Sequence, residues 1–249
     1  MIKLKNNEQL AKMRDAGRIT AEALLAAGEA VREGVSTLEL DEVVRRYIEK
    51  QGATPSFLGY GGFPGSACIS VNEEVIHGIP SDKKILRAGD IVKVDVGAYY
   101  KGFHGDSART FAVGKISAEA EKLMEVTKQC FYKGMEMALP GNRIGDIGAV
   151  IEGHAAESGF SVVRTFVGHG VGHELHEDPE VPNYGNPGRG ARLCEGMTIA
   201  IEPMVNAGVC GVRVLDNKWT VVTTDGRLSA HYENTVAITA DGPVILTQA

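Results

Sequence analysis

The chain has 249 residues, 43% hydrophobic and 23% charged, with a formal net charge of −6; that is the composition of an ordinary globular protein able to bury a sizeable core. The acidic balance argues against the basic stripe of a nucleic-acid surface, and no apolar run is long enough to span a bilayer. The start, MIKLKNNEQLAKMRDAG, lacks the apolar core of a signal peptide, and Cys68, Cys130, Cys194 and Cys210 form no CxxC pair, so neither zinc finger nor disulfide framework is expected and the sequence reads as cytoplasmic.

Two helices come first. In NEQLAKMRDAGRITAEALLAAGEAVREG, Leu10, Met13, Ile19, Leu24 and Val31 recur at helical intervals, and Gly34 reads as the stop. STLELDEVVRRYIEKQG opens with Ser36 and Glu39 in capping-box spacing and carries Leu40, Val43, Val44, Tyr47 and Ile48 on one face. A hairpin follows. Val92, Val94, Val96 and Ala98 alternate along IVKVDVGA, YYKGF supplies the bend, and FHGDSARTFAV resumes an extended pattern. A turn centred between Tyr100 and Lys101 would place Asp95 directly opposite Asp106. Opposed like charges destabilise a strand pair, so another register or a solvated edge is the plainer reading unless a cation sits between them.

From Ser117 the order returns: a helix to about Leu139, a PGN break, and a second helix ending at Gly159. An offset of 107 carries Gly34, Gly52 and Gly89 onto Gly141, Gly159 and Gly196, and GDIVKVD onto GMTIAIE, so that Asp95 falls on Glu202. After an insertion holding Gly208, Gly211 and Trp219, the second strand reappears as SAHYENTVAI, with Glu233 the counterpart of Asp106. His-x-x-Pro also occurs twice, at His77 and His176. The sequence therefore predicts one α+β domain over residues 1–249, built from helix–helix–hairpin halves of about 1–114 and 115–249 related by a pseudo-two-fold, with acids from both meeting centrally.

Four converging acids require compensating charge, and a pair of divalent cations with bridging carboxylates is a standard hydrolytic device. VGHGVGHELHEDP offers His169, His173 and His176 as nitrogen donors, with His169 between two glycines that let the backbone approach closely. His104, His154 and His231 read as surface or hydrogen-bonded residues, although His231 shares a strand face with Glu233. Oxygen donors with an imidazole suit Mn, Fe, Co or Zn alike.

With these residues in place, the chain closely resembles the type I methionine aminopeptidases in the bacterial form without an N-terminal zinc-binding extension. The match runs through MRDAGRI, FLGYGGFPGSACISVNEEVIHGIP, GDIVKVDVGAYYKGFHGDSARTF, VGHGVGHELHEDP, IAIEP and AHYENTVAIT. The resemblance implies a pita-bread fold around a central antiparallel sheet and a dinuclear site held by Asp95, Asp106, His169, Glu202 and Glu233. Asp106 and Glu233 would bridge both ions; Asp95 would complete one site, His169 and Glu202 the other. It implies removal of N-terminal methionine ahead of a small second residue, with Glu202 also shuttling protons and His77 and His176 hydrogen-bonding the scissile amide and its carbonyl. Phe57, Tyr60, Phe63, Cys68, Leu175 and Trp219 match the side-chain pocket; Phe57 and Leu175 depart from the residues common there, where many relatives carry Cys and an aromatic. Lys93 replaces an Asn often found beside a monovalent-cation site in relatives, so the resemblance does not carry a prediction of that ion here. The implied partners are Met-initiated peptides and nascent chains met in transient association with the ribosome, acted on by a monomer that binds neither nucleic acid nor membrane. A prolidase uses the same ligands on the same fold but usually carries a further N-terminal domain, and a non-catalytic relative typically loses ligands that are all present here.

Overall fold

A computed structural model describes residues 1–249. Helix α1 (Asn7–Ala30) opens on a reciprocal cap: Gln9 N donates to the Asn6 side chain at 2.9 Å, and Asn6 N donates to the Gln9 side chain at 3.0 Å. Leu10, Met13, Ile19 and Leu24 are buried, while Val31 is already the C-cap. The helix thus stops ahead of Gly34, which instead makes the turn into α2 at φ 87°. Helix α2 (Thr37–Lys50) begins with the Ser36–Glu39 capping box that the sequence predicts. Helices α3 (Ala118–Glu136) and α4 (Ile144–Glu157) fill the corresponding places in the second half.

Strands Ile91–Tyr100 and Phe103–Ala112 form the expected hairpin, with a corrected register. The turn is Lys101–Gly102, at φ 50° and 85°. Asp95 therefore faces Ala108, and Asp106 faces Gly97. A two-residue hairpin turn of this hand needs positive φ at both central positions, which Gly102 adopts freely and Tyr100 would not. Because the register moves by an even number of residues, both Asp side chains stay on one face, diagonal rather than opposed.

SAHYENTVAI is also corrected, from one strand to two. Ser229–His231 pairs with Met204–Asn206, whereas Asn234–Thr239 pairs with Thr198–Ile201. Glu233 lies in the break, and its backbone exchanges hydrogen bonds with Ala108 (Glu233 N to Ala108 O 2.9 Å, Ala108 N to Glu233 O 3.4 Å). Ala108 is thus flanked by Asp95 on one side and Glu233 on the other, which joins the two halves at the acids. The repeat has backbone counterparts too. Gly34 and Gly141, Gly52 and Gly159, and Gly89 and Gly196 all have positive φ, and the isolated bridge Ser36–Ile85 recurs as Arg143–Arg192 at the same offset.

One apolar cluster packs α1 and α2 on the first hairpin, through residues such as Ile19, Leu40, Ile69 and Val94. Another packs α3 and α4 on the second-half strands, through Phe131, Ile147, Ile199 and Val236. Helix α1 approaches the hairpin closely at Gly105, where a Cβ would lie 2.8 Å from the Gly17 backbone, so the residue beside Asp106 has to be small. In both halves the helices lie outside antiparallel strands, the arrangement that the resemblance implies. No helix is long and apolar enough to cross a membrane.

Candidate functional site

Asp95 and Asp106 project from the two hairpin strands, Glu202 directly follows Thr198–Ile201, and Glu233 occupies the break described above. His169 is the middle residue of Gly168–Gly170. A Cβ on Gly168 would lie 2.3 Å from Ala200 O, and one on Gly170 would lie 2.3 Å from Asp178 O. The glycines therefore let this strand press against its neighbours and fix where the imidazole emerges. His169 Nδ1 lies 2.9 Å from Gly170 O, an acceptor, so Nδ1 carries the proton and Nε2 turns its lone pair toward Glu202 Oε1 at 3.5 Å and Asp106 Oδ2 at 3.8 Å.

These five residues line one cavity of about 350 Å³, together with His77, His176 and the six pocket positions read from the sequence. Phe57, Phe63, Cys68 and Leu175 are buried as a small apolar cluster apart from the two main ones, with Trp219 packed against it. The Phe63 and Trp219 rings meet edge to face, 5.1 Å between centroids. Tyr60 and His176 are exposed at the mouth, His176 Nδ1 lying 2.8 Å from the Tyr60 hydroxyl and its ring 4.1 Å from that of His169. His77 follows strand Glu74–Ile76 at φ 57°, with its ring edge-on to Phe166 and Trp219. Burial, then the neighbouring His176, pushes the His77 ring down to about 4, so it is neutral at physiological pH and carries one N–H donor.

His173 does not join the cavity: its Nδ1 lies 2.8 Å from Gly102 O and its ring stacks near Phe103. His104 and His154 are hydrogen-bonded to Ser56 and Gln129, in keeping with the sequence reading. His231 departs from it. The ring is buried, neither nitrogen has a hydrogen-bond partner, and Nε2 faces Glu202 Oε2 at 3.7 Å and Glu233 Oε2 at 3.9 Å. Its place two residues before Glu233 was the available signal. The sequence reading also missed Ile76, Thr165, Phe166 and Val167 in the cavity wall, because neither an apolar side chain nor a lone threonine near a site has a spacing that separates it from ordinary packing.

Burial pushes all four carboxyl groups up: Asp106 to about 7, and Asp95, Glu202 and Glu233 well above the carboxylate range, with mutual repulsion adding to the last three. No lysine or arginine pairs with any of them. The imidazoles within ion-pair distance, His169 and His231, are themselves pushed down to about 3 by burial and are therefore neutral. Asp95 Oδ1 and Asp106 Oδ1 are buried without a hydrogen-bond partner. Buried oxygen donors without a cation are what a divalent-metal site presents when its charge balance is supplied from outside the chain.

The family model for metallopeptidase family M24 matches residues 11–240. The chain belongs to family M24, in its methionine aminopeptidase branch. It is 56% identical over 247 residues to the methionine aminopeptidase of Clostridium acetobutylicum, covering 99% of each chain, and 52% identical over 248 residues to methionine aminopeptidase 1 of Bacillus subtilis, covering all of each. Among solved structures, the Thermotoga maritima methionine aminopeptidase superposes with a TM-score of 0.99 at 44% identity over the whole of both chains. The Pyrococcus furiosus prolidase superposes at 0.81 with 27% identity, and there the match spans 65% of the prolidase chain.

Membership of M24 implies divalent metal, and the residues present fit it. The donor atoms of Asp106, His169 and Glu233 lie within 4.8 Å of one another, as do those of Asp95, His231 and Glu233. The two donor groups share Glu233; the cavity lining supplies every member except His231, which lies buried behind it.

Proposed function

We propose that this chain removes N-terminal methionine from peptides and nascent proteins, with a pair of divalent ions held by Asp95, Asp106, His169, Glu202 and Glu233, and with a small residue preferred after the methionine. The observation that carries the reading is one cavity that joins this donor set to the Phe57–Phe63–Cys68–Leu175 cluster beside Trp219. An apolar slot with aromatic walls and a sulfur neighbour suits a flexible, polarisable thioether. The buried donors close the inner side of the cavity, which favours a single residue ahead of the scissile bond.

When bound, the ions supply a Lewis acid and lower the pKa of water to near neutrality. The chain's own groups supply the rest. The Glu202 carboxylate accepts the proton of the attacking water and passes it to the departing amine. His77, neutral and held by its left-handed backbone, donates its N–H to the scissile amide. His176, oriented by Tyr60 at 2.8 Å, donates to the oxygen on which charge develops. Tyr60 and His176 stand at the mouth, where the second residue would lie, and their closeness supports a preference for small side chains there. The unpaired cysteines suit a reducing, cytoplasmic compartment, where we propose a monomer that meets its substrates transiently at the ribosome.

The test is release of free methionine from Met-Ala-Ser, Met-Arg-Ser and of alanine from Ala-Pro peptides. Rapid cleavage of the first alone supports the proposal. Comparable rates on Met-Ala-Ser and Met-Arg-Ser overturn the second-residue preference, and faster cleavage of Ala-Pro supports a prolidase instead.

A further inference from the structure

His231 is a buried imidazole with no use in the account above. Its backbone is clamped: His231 N donates to Thr110 Oγ1 at 3.0 Å, Thr110 Oγ1 donates to His231 O at 2.9 Å, and the residue pairs with Met204 in the sheet. The ring direction is therefore set by the fold. The pseudo-symmetric counterpart of His231 is His104, two residues before Asp106, and that ring has a partner in Ser56 Oγ at 2.8 Å. His231 has none at either nitrogen, although both are buried. An unpartnered buried imidazole is costly unless something else fills the role.

The distances say what that something is. His231 Nε2 lies 3.7 Å from Glu202 Oε2 and 3.9 Å from Glu233 Oε2, too long for hydrogen bonds. Donors about 2.0–2.2 Å from a common ion stand roughly 3–4 Å apart, whatever the exact geometry. His169, the imidazole read as a ligand, stands 3.5 and 3.8 Å from its own two carboxylates. On spacing the two rings are alike, and His231 is the more deeply buried, behind the cavity that His169 lines. They also face opposite oxygens of the same carboxylate, His169 toward Glu202 Oε1 and His231 toward Glu202 Oε2. Asp95, His231 and Glu233 form one compact donor group, and Asp106, His169 and Glu233 form the other.

We infer that His231 is a sixth ligand of the metal centre, giving the divalent ion on the Asp95 side an imidazole of its own, as His169 gives one to the ion on the Asp106 side. This rests on the dinuclear reading above. It makes the two positions chemically more alike than an oxygen-only Asp95 site would be, and shifts that site toward metals that favour nitrogen.

The test uses the full chain stripped of metal and titrated with zinc by calorimetry, together with zinc-edge X-ray absorption of the doubly loaded form, for wild type, His231→Gln and His231→Ala. Wild type should bind two ions and show on average one imidazole per ion. In both variants one of the two affinities should fall at least about tenfold, the other should stay within a few-fold, and the absorption should show one imidazole for every two ions. If His231 only orients Glu202 through a hydrogen bond, Gln restores both affinities and Ala does not, which overturns the inference. So does an unchanged imidazole count in a folded, doubly loaded variant. A wild type that binds fewer than two ions overturns the dinuclear reading itself. Near-wild-type melting of the metal-free variants establishes that the change is at the metal and not in the fold.

Discussion

Replacing His77 by Ala separates the chemistry from the metals. The ring lines the cavity but stands in no ion pair with Asp95, Asp106, Glu202 or Glu233, so metal content should not change. If its N–H is aimed at the scissile amide, its loss removes one donor from a water-poor site, worth about a hundred- to a thousand-fold in kcat, or roughly 2.7–4 kcal/mol. KM should move only a few-fold, because the bond strengthens as the amide breaks. The backbone has its own cost, since His77 sits at φ 57° and Ala disfavours that region by about 1–2 kcal/mol. His77→Asn is the control: Asn tolerates left-handed φ, yet its side chain is too short to place a donor where the imidazole does. Both variants should lose kcat alike while only Ala loses Tm. Because burial keeps the ring neutral down to about 4, wild-type kcat should show no His77 ionisation between pH 5 and 8. Steady-state kinetics with metal analysis on the same samples decide it. A folded, metal-replete His77→Asn within a few-fold of wild-type kcat would refute the assigned role.

Other consequences follow from the same geometry. Asp106→Asn should retain the fold but lose at least one bound ion and almost all turnover, read by metal analysis and methionine release; full metal content with normal activity would contradict the bridging role. The metal-free protein should become less stable as pH rises from about 4 to 7, because the Asp106 carboxyl moves from 3.8 when unfolded to about 7 when folded, so the folded state holds the extra proton in that window. Added divalent metal should therefore raise Tm more at pH 7.5 than at pH 5, and an equal rise at both would count against the unpaired carboxylates. Gly168→Ala should lower both Tm and metal affinity, since its Cβ would lie 2.3 Å from Ala200 O beside His169; unchanged zinc titration would show that the strand can shift without moving the imidazole.

Much of this was legible in the sequence because the signals were local. The Ser36–Glu39 cap, the Val92–Ala98 alternation and the glycines of the repeat each express a backbone requirement within a few residues. The hairpin register was lost because it depends on which residues tolerate positive φ, and YYKGF allowed two placements of the turn; Lys101–Gly102 won. The break at Tyr232–Glu233 was lost because nothing in SAHYENTVAI shows that its two ends pair with different strands. The coplacement of His231 with Asp95 depends on that break and on pairing across the halves, so it could only be read in three dimensions. The setting of Lys93 is likewise visible only in three dimensions: its buried Nζ donates to Asn72 O at 2.7 Å, and burial pushes it down to about 7.

Divalent ions should complete the cluster of neutral imidazoles and uncompensated carboxylates to make a methionine-releasing enzyme. The most direct measurement strips the protein with a chelator, confirms the metal content, and follows methionine release from Met-Ala-Ser as manganese, iron, cobalt or zinc is added back in separate titrations. The stripped protein should be inactive, and turnover should return in proportion to ion bound, with at least one of these metals restoring it fully. Undiminished turnover by protein shown to contain no metal, or none with any metal restored to a folded chain, would contradict the account.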